Sequence, residues 1–114
     1  IQRFKADGTA DGKPVKTVAA QEYIQSTPQL LNEEKDGFLL SWLKTEVVKN
    51  STKSIHFVHF NKNNLPASKE FTVSSMEFKN SHGVAAGDKG KMIFVWDGTE
   101  KGETGTDIFA RFFE

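Results

Sequence analysis

The chain has 114 residues with 15 basic and 15 acidic side chains, so its formal net charge is zero. This balance gives no field that would attract nucleic acid or an anionic membrane, and no apolar run approaches the ~20 residues that span a bilayer. The absence of cysteine excludes disulfides, thiolate metal sites and cysteine nucleophiles. The length favours a single domain, residues 1–114, and we expect neither nucleic-acid binding nor membrane insertion.

The first quarter of the chain is rich in turn residues. Asp-Gly occurs twice, at Asp7-Gly8 and Asp11-Gly12, and predicts a loop. Val15–Val18 alternates apolar and polar residues, which predicts a short strand, and residues 19–26 read as a polar connector. A helix is disfavoured here because the helix-friendly stretches are shorter than ~12 residues and Pro28 would end any helix that joined them.

Four strands are predicted next, and we name them A to D. Strand B is an apolar run interrupted only by Ser41, and strand C is rich in aromatic and β-branched residues, which is typical of buried strands. A second polar connector, residues 74–80, follows strand D. The predicted bounds are Gln29–Asn32 for A, Phe38–Leu43 for B, Ser54–Phe60 for C and Lys69–Ser74 for D.

The pattern then repeats. Trp96 follows Trp42 by 54 residues, and without any gap the apolar positions before one tryptophan fall on apolar positions before the other. Phe113 follows Phe60 by 53 residues, so strand C also recurs after a glycine-rich loop. Phe4 ends a third copy of the same strand tail. The chain therefore reads C, D, A, B, C, D, A, B, C, with repeat boundaries near residues 27 and 81.

Several segments resemble a known repeat family. The runs 36–42 and 91–97, with 106–112 after the second, resemble the blades of sialidase-like, BNR-type β-propellers. Residues 1–9 resemble a strand-and-turn segment of related repeats in large secreted bacterial proteins. The family's Asp-box, Ser-x-Asp-x-Gly-x-x-x-Trp, is only echoed in Asp88-Lys89-Gly90, because no serine lies two residues before the aspartate. The resemblance implies a secreted or extracellular protein.

The fold predicted from these patterns is all-β, with two four-stranded propeller-type blades that are circularly offset along the chain. Propellers close with roughly four to eight blades, so one chain cannot form a ring. We expect three or four copies to complete it, as a homo-oligomeric trimer or tetramer, because cyclic closure is common among oligomers. The alternative is a piece of a longer chain.

The two tryptophans are the first candidates for ligand binding. An indole face can stack on a sugar ring, and small oligomeric propellers are often lectins by family resemblance. The other interpretation is that equivalent tryptophans fill the space between blades. The residues expected to bind glycans are Trp42 and Trp96 by stacking, and Glu33, Glu34, Asp88, Asp97 and Arg111 through sugar hydroxyls.

Catalytic and metal chemistry are not expected. Sialidases grip a carboxylate with three arginines, whereas this chain has only Arg3 and Arg111. His56 and His59 are an odd number of residues apart on one strand and so point to opposite faces. We therefore predict no enzyme activity, no cofactor and no metal. The expected function is non-catalytic, lectin-like carbohydrate recognition. The alternative is a structural or adhesive fragment of a larger secreted propeller or repeat protein.

Overall fold

The all-β prediction is confirmed by the computed structural model, which describes residues 1–14, 16, 23–33, 37–46, 53–74, 77–99 and 104–114. The regular elements described are strands and one 3-10 turn, Asp88–Gly90. The strands are β1 Arg3–Phe4, β2 Ala10–Asp11, β3 Tyr23–Asn32, β4 Phe38–Glu46, β5 Lys53–Phe60, β6 Phe71–Ser74, β7 Glu77–Ala86, β8 Met92–Thr99 and β9 Asp107–Phe113.

The described strands form three antiparallel sheets. Sheet 1 contains β3, β4, β5 and β6 in that order, and sheet 2 contains β7, β8 and β9. The third is the small hairpin of β1 and β2. Sheet 1 matches the predicted succession A, B, C, D. Sheet 2 matches A, B and C and has three described strands, where four were predicted. The other predicted strand D, residues 15–18, lies outside the described residues except for Lys16.

Residues that are equivalent in the sequence repeat also form equivalent pairs across the strands of the two large sheets. Phe38 pairs with Phe60 in sheet 1, and Met92 pairs with Phe113 in sheet 2. Trp42 pairs with His56, and Trp96 pairs with Phe109. Each residue of the second pair lies 54 or 53 positions after its counterpart in the first, so the two sheets use the same pairing of strands B and C.

Strand A is longer than predicted in both sheets. Residues 23–26 and 77–80 were predicted to be connectors, but they extend β3 and β7. The neighbouring strands β4 and β8 are long, and their backbone groups on this side need partners. A β-bulge between Ser26 and Gln29 absorbs Thr27, which has φ 47°, and Pro28. Proline is tolerated there because β3 is an edge strand.

The start of the chain also differs from the prediction. Arg3 and Phe4 were expected to repeat the tail of strand C, but they pair with Ala10 and Asp11, which were expected to lie in a loop. Gly8 and Gly12 have positive φ and make the sharp turns of this segment possible. The predicted strand Val15–Val18 lies outside the described residues except for Lys16.

The main core lies between the two large sheets. One face of sheet 1, here called its inner face, carries Leu39, Leu43, Ile55, Phe57 and Val73. It packs against the inner face of sheet 2. There, the buried residues are Met92, Phe94 and Trp96, with Val84, Phe109 and Phe113 partly buried beside them.

A second apolar cluster covers the opposite, outer face of sheet 1. It consists of Phe38, Leu40, Trp42, Val58 and Phe60, with Ile1 packed against it. These positions of β4 are the counterparts, 54 residues earlier, of Met92, Phe94 and Trp96. Sheet 2 therefore uses as its inner face the side that is the outer face in sheet 1. The two sheets pack front to back, in the same sense, rather than as mirror-like partners.

Candidate functional site

A cleft of about 510 Å³ lies at the end of sheet 1 where β3 turns into β4. The N-terminal segment forms one wall, and the loop after β5 forms the other. Among the described residues its lining combines one guanidinium, three amides, three apolar side chains, one glycine and Glu33. The lining residues are Ile1, Gln2, Arg3, Leu30, Asn32, Glu33, Gly37, Phe38 and Asn64.

Glu33 is held at the cleft by the hairpin that joins β3 to β4. Its backbone N–H donates to the carbonyl of Gly37 at 3.0 Å, which closes the base of the hairpin. Its carboxylate Oε1 lies 2.7 Å from Nδ1 of His59, which projects from β5. The imidazole thus fixes the carboxylate on the inner face of sheet 1, the side of Leu39, whereas the cleft residues Leu30 and Phe38 lie on the outer face.

Arg3 and Asn64 form the opposite side of the cleft. Asn64 has φ 62° within a turn whose N–H groups at Asn63 and Leu65 donate to Asn61 Oδ1. Asparagine tolerates this left-handed conformation better than most residues. Arg3 Nε donates to Asn64 Oδ1 at 2.6 Å, and its guanidinium lies 5.8 Å from the centre of the Phe38 ring. These contacts tie the N-terminal segment to sheet 1.

The structure places both tryptophans inside the apolar clusters. Trp42 is 3% exposed on the outer face of sheet 1, and Trp96 is 6% exposed between the sheets. The Trp96 indole stacks on Phe109 with ring centres 6.0 Å apart. Neither indole face is open to a sugar ring in this arrangement, and both positions fit the packing interpretation.

The other predicted ligand residues are not brought together. Asp88 is exposed on the turn between β7 and β8, and Asp97 accepts hydrogen bonds from the backbone N–H and hydroxyl of Ser81. Arg111 donates to the carbonyl of Val73 at 2.6 Å and so links the two sheets. Glu34 lies outside the described residues. Of the predicted ligand residues that the structure describes, Glu33 alone lines the cleft.

The cleft adds residues that the sequence did not single out. Arg3 was noted only as one of two arginines, and Asn32 and Asn64 were not proposed. The one sequence signal for Asn64 is its place in an asparagine-rich turn before Pro66, because such turns expose amides. Nothing local in the sequence indicates that this turn faces the N-terminal segment.

A Ser-His-Glu arrangement lies on β5 and the segment before β6. Ser54 Oγ is 2.6 Å from His56 Nε2, and Glu70 Oε1 is 2.7 Å from His56 Nδ1. The carboxylate is not aligned for a hydrogen bond with Nδ1, however, and it also pairs with Lys44 Nζ at 3.4 Å. The His56 ring stacks against Trp42. We interpret the group as a structural tie between β4, β5 and β6.

A buried histidine links the two large sheets. Nε2 of His82 on β7 lies 2.9 Å from Ser41 Oγ on β4. Burial lowers the pKa of His82, because the imidazolium would lose its hydration inside the interface. Nδ1 is buried without a hydrogen-bond partner among the described residues, so a proton placed there would also lack an acceptor. The neutral ring is therefore the form that the interface accommodates.

Acidification should weaken the fold through this histidine. Its pKa is lower when folded, so the unfolded chain binds the proton more readily, and the free energy of unfolding should fall as the pH drops below about 6.5. Burial also lowers the pKa of His56, which adds an effect of the same sign. Urea unfolding at about pH 7.5 and about pH 5.5 measures the total loss. His82→Gln should remove part of it, and an undiminished loss in that variant would contradict the assignment to His82.

Within the described ranges, no group of three or more histidine or carboxylate residues could hold a metal ion. No helix in the same part of the chain is long and apolar enough to cross a membrane. Comparison with protein-family models, curated proteins and solved structures gives no match for this chain.

Proposed function

We propose that this protein is a non-catalytic recognition module that binds a carbohydrate in the cleft beside Glu33. The observation that supports the proposal most directly is the chemistry of the lining. A guanidinium and the amides of Gln2, Asn32 and Asn64 surround the apolar groups Ile1, Leu30 and Phe38. Sugars offer alternating hydroxyls and apolar C–H patches, and polar groups placed around a small apolar surface recognise both.

The polar side chains of the cleft are already fixed in position. His59 holds Glu33, and Asn64 holds Arg3, each through a contact shorter than 3 Å. A ligand therefore loses less free energy in ordering these side chains than it would at flexible ones. The volume of the cleft suits one sugar ring or a short oligosaccharide, in line with the small end of the range for ligand pockets.

Arg3→Gln should weaken glycan binding about tenfold, because a hydrogen bond to a charged group contributes roughly 1.5–3 kcal/mol. A glycan array identifies the best ligand for the parent chain, and titration calorimetry with that ligand then compares variants. Asn64→Ala should weaken binding as well, since it removes one amide and releases Arg3. The matched control is Asp88→Asn, which changes an exposed carboxylate on the turn of sheet 2.

Two results would count against this site. One is a parent chain that binds no glycan on the array, and the other is weaker binding by Asp88→Asn with unchanged binding by Arg3→Gln. The second result would move the site to the predicted acidic residues of sheet 2. Circular dichroism of each variant establishes that the sheets are intact before the affinities are compared.

A structural role in a larger propeller or repeat assembly is the second candidate. The front-to-back packing of the two large sheets supports it, because such packing can continue from one repeat to the next. We propose that the sheets are successive blades of a propeller-type array. A closed ring of three or four copies stays a prediction from the sequence. In such a ring the outer face of sheet 1 would contact the next copy, so the groups that now bury this face would have to move away from it. A folded chain that binds no glycan would favour this candidate.

A further inference from the structure

The outer face of sheet 2 is apolar and exposed. On β9 it presents Ile108, which is 79% exposed, and Phe112, which is 74% exposed. Val95 on β8 pairs with Ala110 at the centre of the face, and Ile93 pairs with Phe112. These five residues, which we call the outer patch, share one side of the sheet because directly opposed residues of antiparallel strands point the same way.

The repeat shows what this side of the sheet is used for. Ile93 corresponds to Leu39, and Ile108 corresponds to Ile55, at the offsets that relate the two sheets. Leu39 and Ile55 are both completely buried, because the inner face of sheet 2 covers them. The same side of the repeat is thus a packed core surface in sheet 1 and an open surface in sheet 2. An apolar surface of this kind marks an association site.

We propose that a second copy of this chain covers the outer patch, in a twofold dimer that brings the two patches face to face. A head-to-tail partner would need the outer face of sheet 1, but Trp42, Val58 and Phe60 on that face are already buried within the chain. A dimer in which the two outer patches face each other leaves the buried cluster on sheet 1 in place. It also matches the twofold symmetry that is commonest among dimers, in which one patch is complementary to itself.

Charge and area are both compatible with this contact. Asp97 pairs with Ile108 and so lies at the edge of the outer patch on the same side of the sheet, where its carboxylate accepts hydrogen bonds from Ser81. A chain with a net charge of zero has no overall repulsion against its copy. An aromatic side chain offers on the order of 150–250 Å² and the four smaller side chains less, so one patch presents roughly 400 Å². Two patches with their rim come close to the ~1,000 Å² at which specific interfaces begin, which predicts a weak, concentration-dependent dimer.

Sedimentation equilibrium of the 12.7 kDa chain, from low-micromolar to near-millimolar protein, tests the proposal. We expect a reversible monomer–dimer equilibrium. Phe112→Lys and Ile108→Lys should each weaken dimerisation at least tenfold, because both place a charge in the apolar contact. Leu65→Lys is the matched control. It charges an exposed apolar residue on the loop after β5, away from the patch, and should leave the equilibrium unchanged.

A cysteine provides a second measurement, since the natural chain has none. Ala110→Cys lies at the centre of the patch and should give a covalent dimer on mild oxidation, whereas Leu65→Cys should not. A strictly monomeric chain at the highest concentration would overturn the proposal. A trimer or tetramer would overturn it in favour of a ring, and a dimer that survives Phe112→Lys would place the contact elsewhere.

Discussion

Phe57→Ala should lower the free energy of unfolding by about 3–5 kcal/mol, the usual cost of removing a buried aromatic side chain and leaving a cavity. Phe57 is almost fully buried at the centre of the interface between the large sheets. Its ring stacks on Phe94 of sheet 2 at 5.1 Å and on Phe71 of its own sheet at 4.9 Å. The edge of Phe113 completes the cluster at 5.3 Å.

This loss is large compared with the total stability of a domain of this size, so the variant should be partly unfolded at room temperature. Urea or thermal unfolding followed by circular dichroism measures the change. Phe4→Ala is the matched control, because Phe4 is exposed and its truncation should cost no more than about 0.5 kcal/mol. Equal effects of the two substitutions would mean that the sheets do not pack through Phe57.

Trp96→Ala should be about as damaging, with an expected loss of roughly 3–5 kcal/mol, because it empties the space beside Phe109 in the same interface. The measurement of interest is made on conservative variants. Trp96→Phe and Trp42→Phe keep an aromatic ring in each cluster, and we expect both proteins to fold and to retain the parent's glycan affinity within about twofold, since neither indole lines the cleft.

The tryptophan variants separate the two roles that the sequence left open. Binding and stability are compared on the same preparations, by titration calorimetry and urea unfolding. If Trp42→Phe or Trp96→Phe remained stable but lost glycan binding, the stacking role would be restored and the cleft at Glu33 would lose its priority. A loss of stability with unchanged affinity supports the packing role.

The strands and their pairing were predictable because they depend on local pattern. Strand B, from Phe38, is an apolar run, and strand C, ending at Phe60, is rich in aromatic and β-branched residues, so their recurrence predicted the same succession of strands in both sheets. The register of the B–C pairing comes from the structure. The extension of β3 past Pro28 was not predictable in this way. It depends on the length of the neighbouring strand and on a bulge, neither of which appears in the local pattern.

The candidate site was much less predictable than the fold. Glu33 was proposed because it is polar and follows strand A, and that logic applied equally to Asp88, which lies at the corresponding turn of sheet 2. What distinguishes Glu33 is that the N-terminal segment packs beside it, through Arg3 and Asn64, which are 61 residues apart. Contacts of such long range leave no periodic signal in the sequence.

The all-β character of the chain and the succession of its strands as a repeat were predictable from the sequence alone. These properties follow from side-chain alternation and β-propensity, which act over a few residues. The front-to-back stacking of the sheets and the burial of the tryptophans became visible in the tertiary structure alone. The same holds for the position of Glu33 beside a cleft and for the exposure of the outer patch. All four features depend on which surfaces meet when the apolar faces leave water.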